Sequence, residues 1–262
     1  VTEIDGMSME PEILASYNAT RGPLEFGVSY QYQTRPRLNK VDEDMLNPDR
    51  TPREFRSLFN ASKRDNHRVT GTLAYEFVNG AILQLNGLYS DNERSEDREE
   101  DQFLIGTGGI RTPNAIEEGD FSYSNEEFEI GGDLEFQVGN IGQLKTLFVV
   151  NRRDNTDEII QDTIADSMTT RLFSSFADYD EDETIVRSAM TSIFGRHTLE
   201  YGAEAAFNTL DRTFAFNNDP LENAVVEEDR YEVFVTHSIL LTEKISLQSA
   251  LTEEYSTIFQ DR

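Results

Sequence analysis

Three histidines, His67, His197 and His237, three alternating aspartates, Asp178, Asp180 and Asp182, and the run Thr107-Gly108-Gly109 are the residues of this chain whose types and spacing suggest chemistry. Imidazoles hold a metal when a motif such as HExxH brings two of them to one face. These three lie far apart in sequence with no such spacing, so they are expected to be surface or strand residues. The aspartates have the 1, 3, 5 spacing that opens an EF-hand calcium loop, but Glu183 stands where that loop requires Gly and Ala189 where it requires a bidentate Glu. A solvated acidic loop, with at most loosely held divalent ions, is the expectation. Thr107-Gly108-Gly109 lacks the strand, helix and Lys of a phosphate loop and reads as a flexible loop segment. The chain has no cysteine, which rules out disulfides, Cys-ligated zinc and thiol catalysis together. No Ser, His and Asp set follows a recognisable motif. The expectation is a protein that is not an enzyme, with no catalytic residues, metal ligands or cofactor, and with ligand-binding residues that the sequence does not name.

Charge narrows the partners. The 262 residues hold 23 Lys plus Arg against 50 Asp plus Glu, a formal net charge of −27. Docking on a phosphate backbone needs Lys and Arg to displace counterions, so nucleic acid is discounted. No stretch reaches the ~18 to 20 consecutive apolar residues of a spanning helix, and Val1-Thr2-Glu3-Ile4-Asp5 has no basic region followed by an apolar one. A transmembrane barrel shows neither signal in its wall, because its strands are apolar on one face only. A mean hydropathy of −0.56 therefore leaves a membrane open.

The elements that must position these residues are alternating segments joined in pairs by short turns. In Leu24 to Gln33, Leu, Phe, Val, Tyr and Tyr alternate with Glu, Gly, Ser, Gln and Gln, which puts the apolar groups on one face of a strand. It follows Ile13 to Thr20 after Arg21-Gly22-Pro23. A second pair, His67 to Phe77 and Ala81 to Asn92, turns at Val78-Asn79-Gly80, where Asn-Gly supplies positive φ. Three more pairs join Glu127 to Val138 with Gln143 to Asp154, Thr184 to Phe194 with His197 to Phe207, and Tyr231 to Leu240 with Ile245 to Tyr255. That makes ten strands in five hairpins. Between hairpins lie roughly residues 36 to 66, 95 to 126, 155 to 183 and 217 to 229, which read as long loops rich in Asp, Glu, Asn and Arg.

Short turns at one end and long polar connections at the other are the layout of an outer-membrane barrel. Alternation alone also suits a sandwich. Ten or more in-phase residues suit a tilted membrane strand of ~9 to 11 residues better than the usual ~5 to 6. Tyr30, Tyr32, Phe77, Tyr89, Phe136, Tyr231 and Tyr255 near strand ends are candidates for interfacial girdles. Phe26, Val28, Leu73, Leu134, Phe148, Tyr201, Ala203 and Leu247 are expected to face lipid, and Glu135, Glu200 and Glu204 the lumen.

The run Phe128-Glu129-Ile130-Gly131-Gly132-Asp133-Leu134-Glu135-Phe136, with Gly142-Gln143-Leu144-Lys145-Thr146-Leu147, resembles a hairpin of proteobacterial TonB-dependent receptors. Leu199 to Asp211, and Asn223 to Glu232 followed by Leu241-Thr242 and Ile245-Ser246-Leu247, are similar to the same family. The resemblance covers roughly residues 120 to 260 and is one of strand texture. It implies a 22-stranded barrel with an N-terminal plug, importing a scarce nutrient with energy passed through TonB. No plug sequence precedes Val1, no TonB-box-like segment is visible, and the chain stops at Gln260-Asp261-Arg262 without a terminal aromatic. At about 26 residues per strand, a 22-stranded wall would need about 570 residues.

The expectation is thus an all-β, antiparallel up-and-down meander of about ten strands, with residues 1–262 forming the N-terminal half of a 22-stranded transmembrane β-barrel wall. Its partners would be lipid and lipopolysaccharide of the bacterial outer membrane, a small nutrient ligand such as a siderophore-metal complex or an oligosaccharide, and TonB through the missing plug. Two alternatives stand: a complete ten-stranded outer-membrane barrel acting as hydrolase or adhesin, and a soluble surface β-sandwich binding module.

Overall fold

The computed structural model describes residues 10–217, 219 and 221–261. They form one sheet of ten strands whose spatial order is the chain order, each antiparallel to the next. The strands are β1 (Glu12–Arg21), β2 (Leu24–Leu46), β3 (Pro52–Glu76), β4 (Ile82–Ile105), β5 (Arg111–Val138), β6 (Gly142–Ala165), β7 (Met168–Phe194), β8 (His197–Phe216), β9 (Glu222–Thr242) and β10 (Ile245–Asp261). There is no α-helix among the described residues. Because strand direction alternates, the connections after β1, β3, β5, β7 and β9 share one rim. These are the five short turns read from the sequence, and Gly22, Gly80, Gly139 and Gly195 supply positive φ at four of them.

The expected long loops are absent. Residues 36 to 66, 95 to 126 and 155 to 183 continue as strand, and the connections at the second rim are 47–51, 106–110 and Asp166-Ser167. The fourth, between Phe216 and Glu222, is also short. The acidic segment holding Asp178, Asp180 and Asp182 is the middle of β7. Thr107-Gly108-Gly109 is a single 3-10 turn at the tip of the β4–β5 hairpin. What overrides the low strand propensity of these charged residues is pairing within the sheet. Residues two apart on a strand share a face, and ion pairs run along it from Arg56 to Glu54 at 2.8 Å, Arg94 to Glu96 at 2.5 Å, and Arg98 to Glu100 at 2.9 Å.

Opposed residues of an antiparallel pair point to the same side, so register carries a face from strand to strand. One row crosses the whole sheet through Ala19, Phe26, Leu73, Leu85, Gly132, Phe148, Val186, Ala205, Tyr231 and Tyr255. The adjacent row, on the other face, runs Thr20, Glu25, Ala74, Gln84, Asp133, Leu147, Arg187, Glu204, Glu232 and Glu254. The eight residues expected on the apolar face lie there together, and Glu135, Glu200 and Glu204 lie on the polar face.

The polar face is the enclosed one. Along β5, Phe121, Tyr123, Asn125, Glu127 and Glu129 are half-buried while Ser122, Ser124, Glu126, Phe128 and Ile130 between them are exposed. Alanines control for side-chain size: Ala206 on the polar face is 1% exposed, and Ala203 on the apolar face is exposed. The side chains crowd where the sheet curves inward, so the polar face is concave. Gly202 belongs to this crowding. A Cβ there would lie 2.2 Å from the Ser188 carbonyl oxygen and 2.7 Å from the Phe234 ring, and Arg187 stacks on that ring at 4.3 Å.

The sheet is open. β1 pairs only with β2 and β10 only with β9 among the described residues.

Candidate functional site

Two surfaces carry the chemistry, and their boundary is sharp. On the outer face of β5, Phe128, Ile130, Gly132, Leu134 and Phe136 give an apolar run beside the turns, and Glu126, Ser124 and Ser122 follow above it. The upper border of the apolar zone is the row Tyr30, Val69, Tyr89, Phe128 on β2 to β5. On β6 to β8 the border is Val150, Thr184, Phe207, one row closer to the turns, and on β9 and β10 it is Tyr231 and Tyr255, a further row down. A level border must step through the register in this way when strands tilt against it. Many of these side chains are open to solvent, including Phe26, Val28, Val186, Val233 and Leu251. Contiguous exposed apolar patches larger than a few hundred Å² are rare on soluble monomers.

Directly above that border the outer face turns acidic, along Asp91, Glu126, Asp154, Asp180 and Asp211 in one row. Burial, a hydrogen bond to Asp154 and its charge push the Asp180 carboxyl up from its usual range. Asp178 accepts a 2.7 Å hydrogen bond from the Thr156 hydroxyl, and Asp182 lies opposite Arg152. The aspartates of the EF-hand-like spacing are therefore strand residues of this face, Asp180 in the acidic row and Asp178 and Asp182 in the rows on either side of it. Among the described residues no group of three or more His, Cys, Asp or Glu side chains is placed to hold a metal.

The structure brings two of the three histidines together. His197 Nδ1 lies 3.0 Å from His237 Nε2 with the rings stacked at 5.2 Å, on the outer face beside the turn rim. The pairing of β8 with β9 creates this contact across 40 residues, which sequence spacing could not show. Two imidazoles are half of a tetrahedral ligand set. His67 sits apart at the upper border, hydrogen-bonded to Tyr30 Oη at 2.9 Å and against the Tyr32 ring at 4.7 Å.

The concave face is a lattice of paired charges. Near the turns, Glu204 lies between Arg187 at 3.6 Å and Arg230 at 3.0 Å. Midway, Arg153 bridges Glu127 at 3.1 Å and Glu181 at 3.6 Å, and Asn125 donates to Asn155 at 2.6 Å. Toward the second rim Arg56 and Arg98 both reach Glu100, at 3.0 and 2.9 Å, and the Gln102 amide donates to Glu100 and Glu117. Glu54, Glu100 and Gln102 are buried within that network. Two hollows of about 440 Å³ each open on this face, one lined by Arg64, Asn92, Arg94, Glu96, Phe121 and Tyr123, the other by Arg153, Glu181 and Glu228 with their neighbours. These surfaces offer ion pairing and hydrogen bonding to a polar solute, with Phe121 and Tyr123 as apolar walls.

No family model and no curated protein sequence matches the chain. Among solved structures, the ferric yersiniabactin uptake receptor FyuA from Yersinia pestis aligns with a TM-score of 0.30 at 10% identity, over 95% of this chain and 49% of that one. The chain thus spans about half the length of that structure. A likeness so slight assigns this chain to no family.

Proposed function

We propose that this chain is part of the wall of a bacterial outer-membrane β-barrel that takes up a scarce nutrient, its apolar face against lipid and its concave face lining the passage. The single observation that carries this reading is the exposed apolar zone crossing all ten strands, bordered by aromatics and backed by a polar concave face. Its height fits a bilayer: the run from Phe128 to Phe136 spans nine residues, against ~9 to 11 for a tilted membrane strand. β5 has 28 residues, about 90 Å at ~3.3 Å each, so two thirds of it rises beyond a ~30 Å hydrocarbon core. That upper wall would form a vestibule outside the cell, its outer acidic row level with lipid and lipopolysaccharide head groups.

The open edges support a wall larger than ten strands. Unpaired backbone groups in lipid cost several kcal/mol each, so β1 and β10 need further strands beside them. The strand texture of residues 120 to 260 favours the 22-stranded TonB-dependent receptor architecture over a small barrel, with a siderophore-metal complex or an oligosaccharide as cargo and TonB acting through a plug. On this reading the chain binds and conducts, and is not an enzyme. Membrane fractionation tests it. The complete barrel that contains this wall, expressed with an outer-membrane targeting signal, should stay in the membrane pellet through a carbonate wash and be released by detergent; release by carbonate alone would reject the reading in favour of a soluble surface module.

A further inference from the structure

Three arginines stand in one row of directly opposed residues on the concave face: Arg35 on β2, Arg64 on β3 and Arg94 on β4. The row continues through Tyr123 and Asp157. Arg37 and Arg68 lie on the same face of β2 and β3, opposite Ser62 and Gln31. Like charges directly opposed across a sheet destabilise it. Elsewhere on this face most guanidinium groups have carboxylate partners, as at Arg56, Arg98, Arg153, Arg187 and Arg230, and Arg212 stacks on the Tyr179 and Phe214 rings. Here, among the described residues, Arg35, Arg37 and Arg68 have no side-chain partner, and Arg64 has only the buried Asn92, whose Oδ1 accepts from its Nε at 2.6 Å. Arg94 alone is ion-paired, to Glu96.

Scarcity of carboxylates cannot explain this, because acidic residues outnumber basic ones 50 to 23. Arg64 and Arg94 line a hollow with Asn92, Glu96, Phe121, Tyr123 and Asp157, and Arg35 stands directly opposite Arg64 in the row. Asn92 fixes the Arg64 fork from below and leaves its terminal nitrogens free to donate. Planar guanidinium forks match carboxylate and phosphate oxygens in paired hydrogen bonds. We propose that Arg35, Arg64 and Arg94 bind a compact polyanionic solute through its carboxylate or phosphate oxygens, an inference that rests on the concave face lining the passage of the proposed wall. The cation row would then be a local destabilisation held for binding.

Calorimetric titration of the full chain in detergent micelles, with citrate, pyrophosphate and uncharged maltose, tests this. The expected result is binding of at least one anion, weakening as salt rises, and none of maltose; preference between citrate and pyrophosphate separates carboxylate from phosphate recognition. Each of Arg35→Gln, Arg64→Gln and Arg94→Gln should weaken binding about tenfold, as loss of a charge-assisted pair does, while Arg152→Gln on the outer face leaves it unchanged. Arg64→Lys, which keeps charge and loses the fork, should fall between wild type and Arg64→Gln. Relief of like-charge opposition should raise the melting temperature of Arg35→Gln, which gives up no side-chain partner, even as its binding falls, which a merely structural arginine would not do. Absence of binding by both anions, or a triple Gln variant that binds like wild type, would overturn the proposal. The titration reads the folded sheet whether or not it enters lipid, so failure to insert counts against the wall reading alone.

Discussion

Val186→Arg should strip the chain from the outer-membrane fraction. Val186 sits in the row that crosses the apolar zone from Phe26 to Tyr255, between Phe148 and Ala205, and its side chain is 45% exposed. A cation costs about 2 to 4 kcal/mol at the bilayer midplane and about 0 to 1 at its interfaces; Val186, one row below the Thr184 border, falls between, at about 1 to 2 kcal/mol, a shift of roughly fivefold to 30-fold in the folded, inserted population. The position touches little else, so the same substitution in a soluble sheet would stay within about 0.5 kcal/mol of neutral. Ser124→Arg is the internal control, because it lies on the same face of β5 above the border at Phe128 and Glu126. Quantified membrane-pellet recovery should fall for Val186→Arg and hold for Ser124→Arg. Equal recovery of both would mean that the apolar zone meets no lipid.

The second large effect is all-or-none crosslinking at the sheet edges. The chain has no cysteine, so introduced pairs report without background. Tyr17 and Val28 are direct partners across β1 and β2, where opposed Cα atoms lie within disulfide reach. Tyr17→Cys with Val28→Cys should therefore oxidise almost completely to an intramolecular bridge. Tyr17→Cys combined with Cys at Leu247, Leu251 or Tyr255 of β10 should give essentially none, since β1 and β10 do not meet. Efficient bridging in any of those three, read as a mobility shift on a non-reducing gel, would establish a closed ten-stranded barrel and promote the small-barrel alternative.

What the sequence made legible follows the reach of its turns. The Asn79-Gly80 turn places Glu76 opposite Ile82, and counting twelve residues back along each arm puts Arg64 opposite Arg94, as found. The arithmetic was available for every short turn, and the apolar face could be read that way on all ten strands. Arg35 opposite Arg64 was out of reach. That register depends on the β2–β3 hairpin, whose tip at 47–51 lies inside a segment read as loop and beside a bulge between Met45 and Leu46. The charged segments misled for one reason: strand propensity describes an isolated residue, while ion pairs such as Arg98 with Glu100 form only once neighbouring strands hold both side chains extended. The His197 and His237 contact was hidden because it lies on a diagonal between β8 and β9, whose register is set by the connection after Phe216, inside a segment read as a long loop.

The measurement closest to the central claim is spin-label accessibility in bilayers. Nitroxides placed singly at Phe26, Val28, Leu134, Tyr201 and Leu247 should collide with oxygen, which partitions into lipid, and be shielded from a water-soluble nickel chelate. Labels at Glu135, Glu200 and Glu204 should show the reverse, although Leu134 and Glu135 are neighbours in sequence. The account predicts that accessibility switches between the two quenchers with a period of two residues below the Phe128 border and becomes uniformly aqueous above it. Equal access of both quenchers to the two sets of positions would contradict the reading of this sheet as a membrane wall.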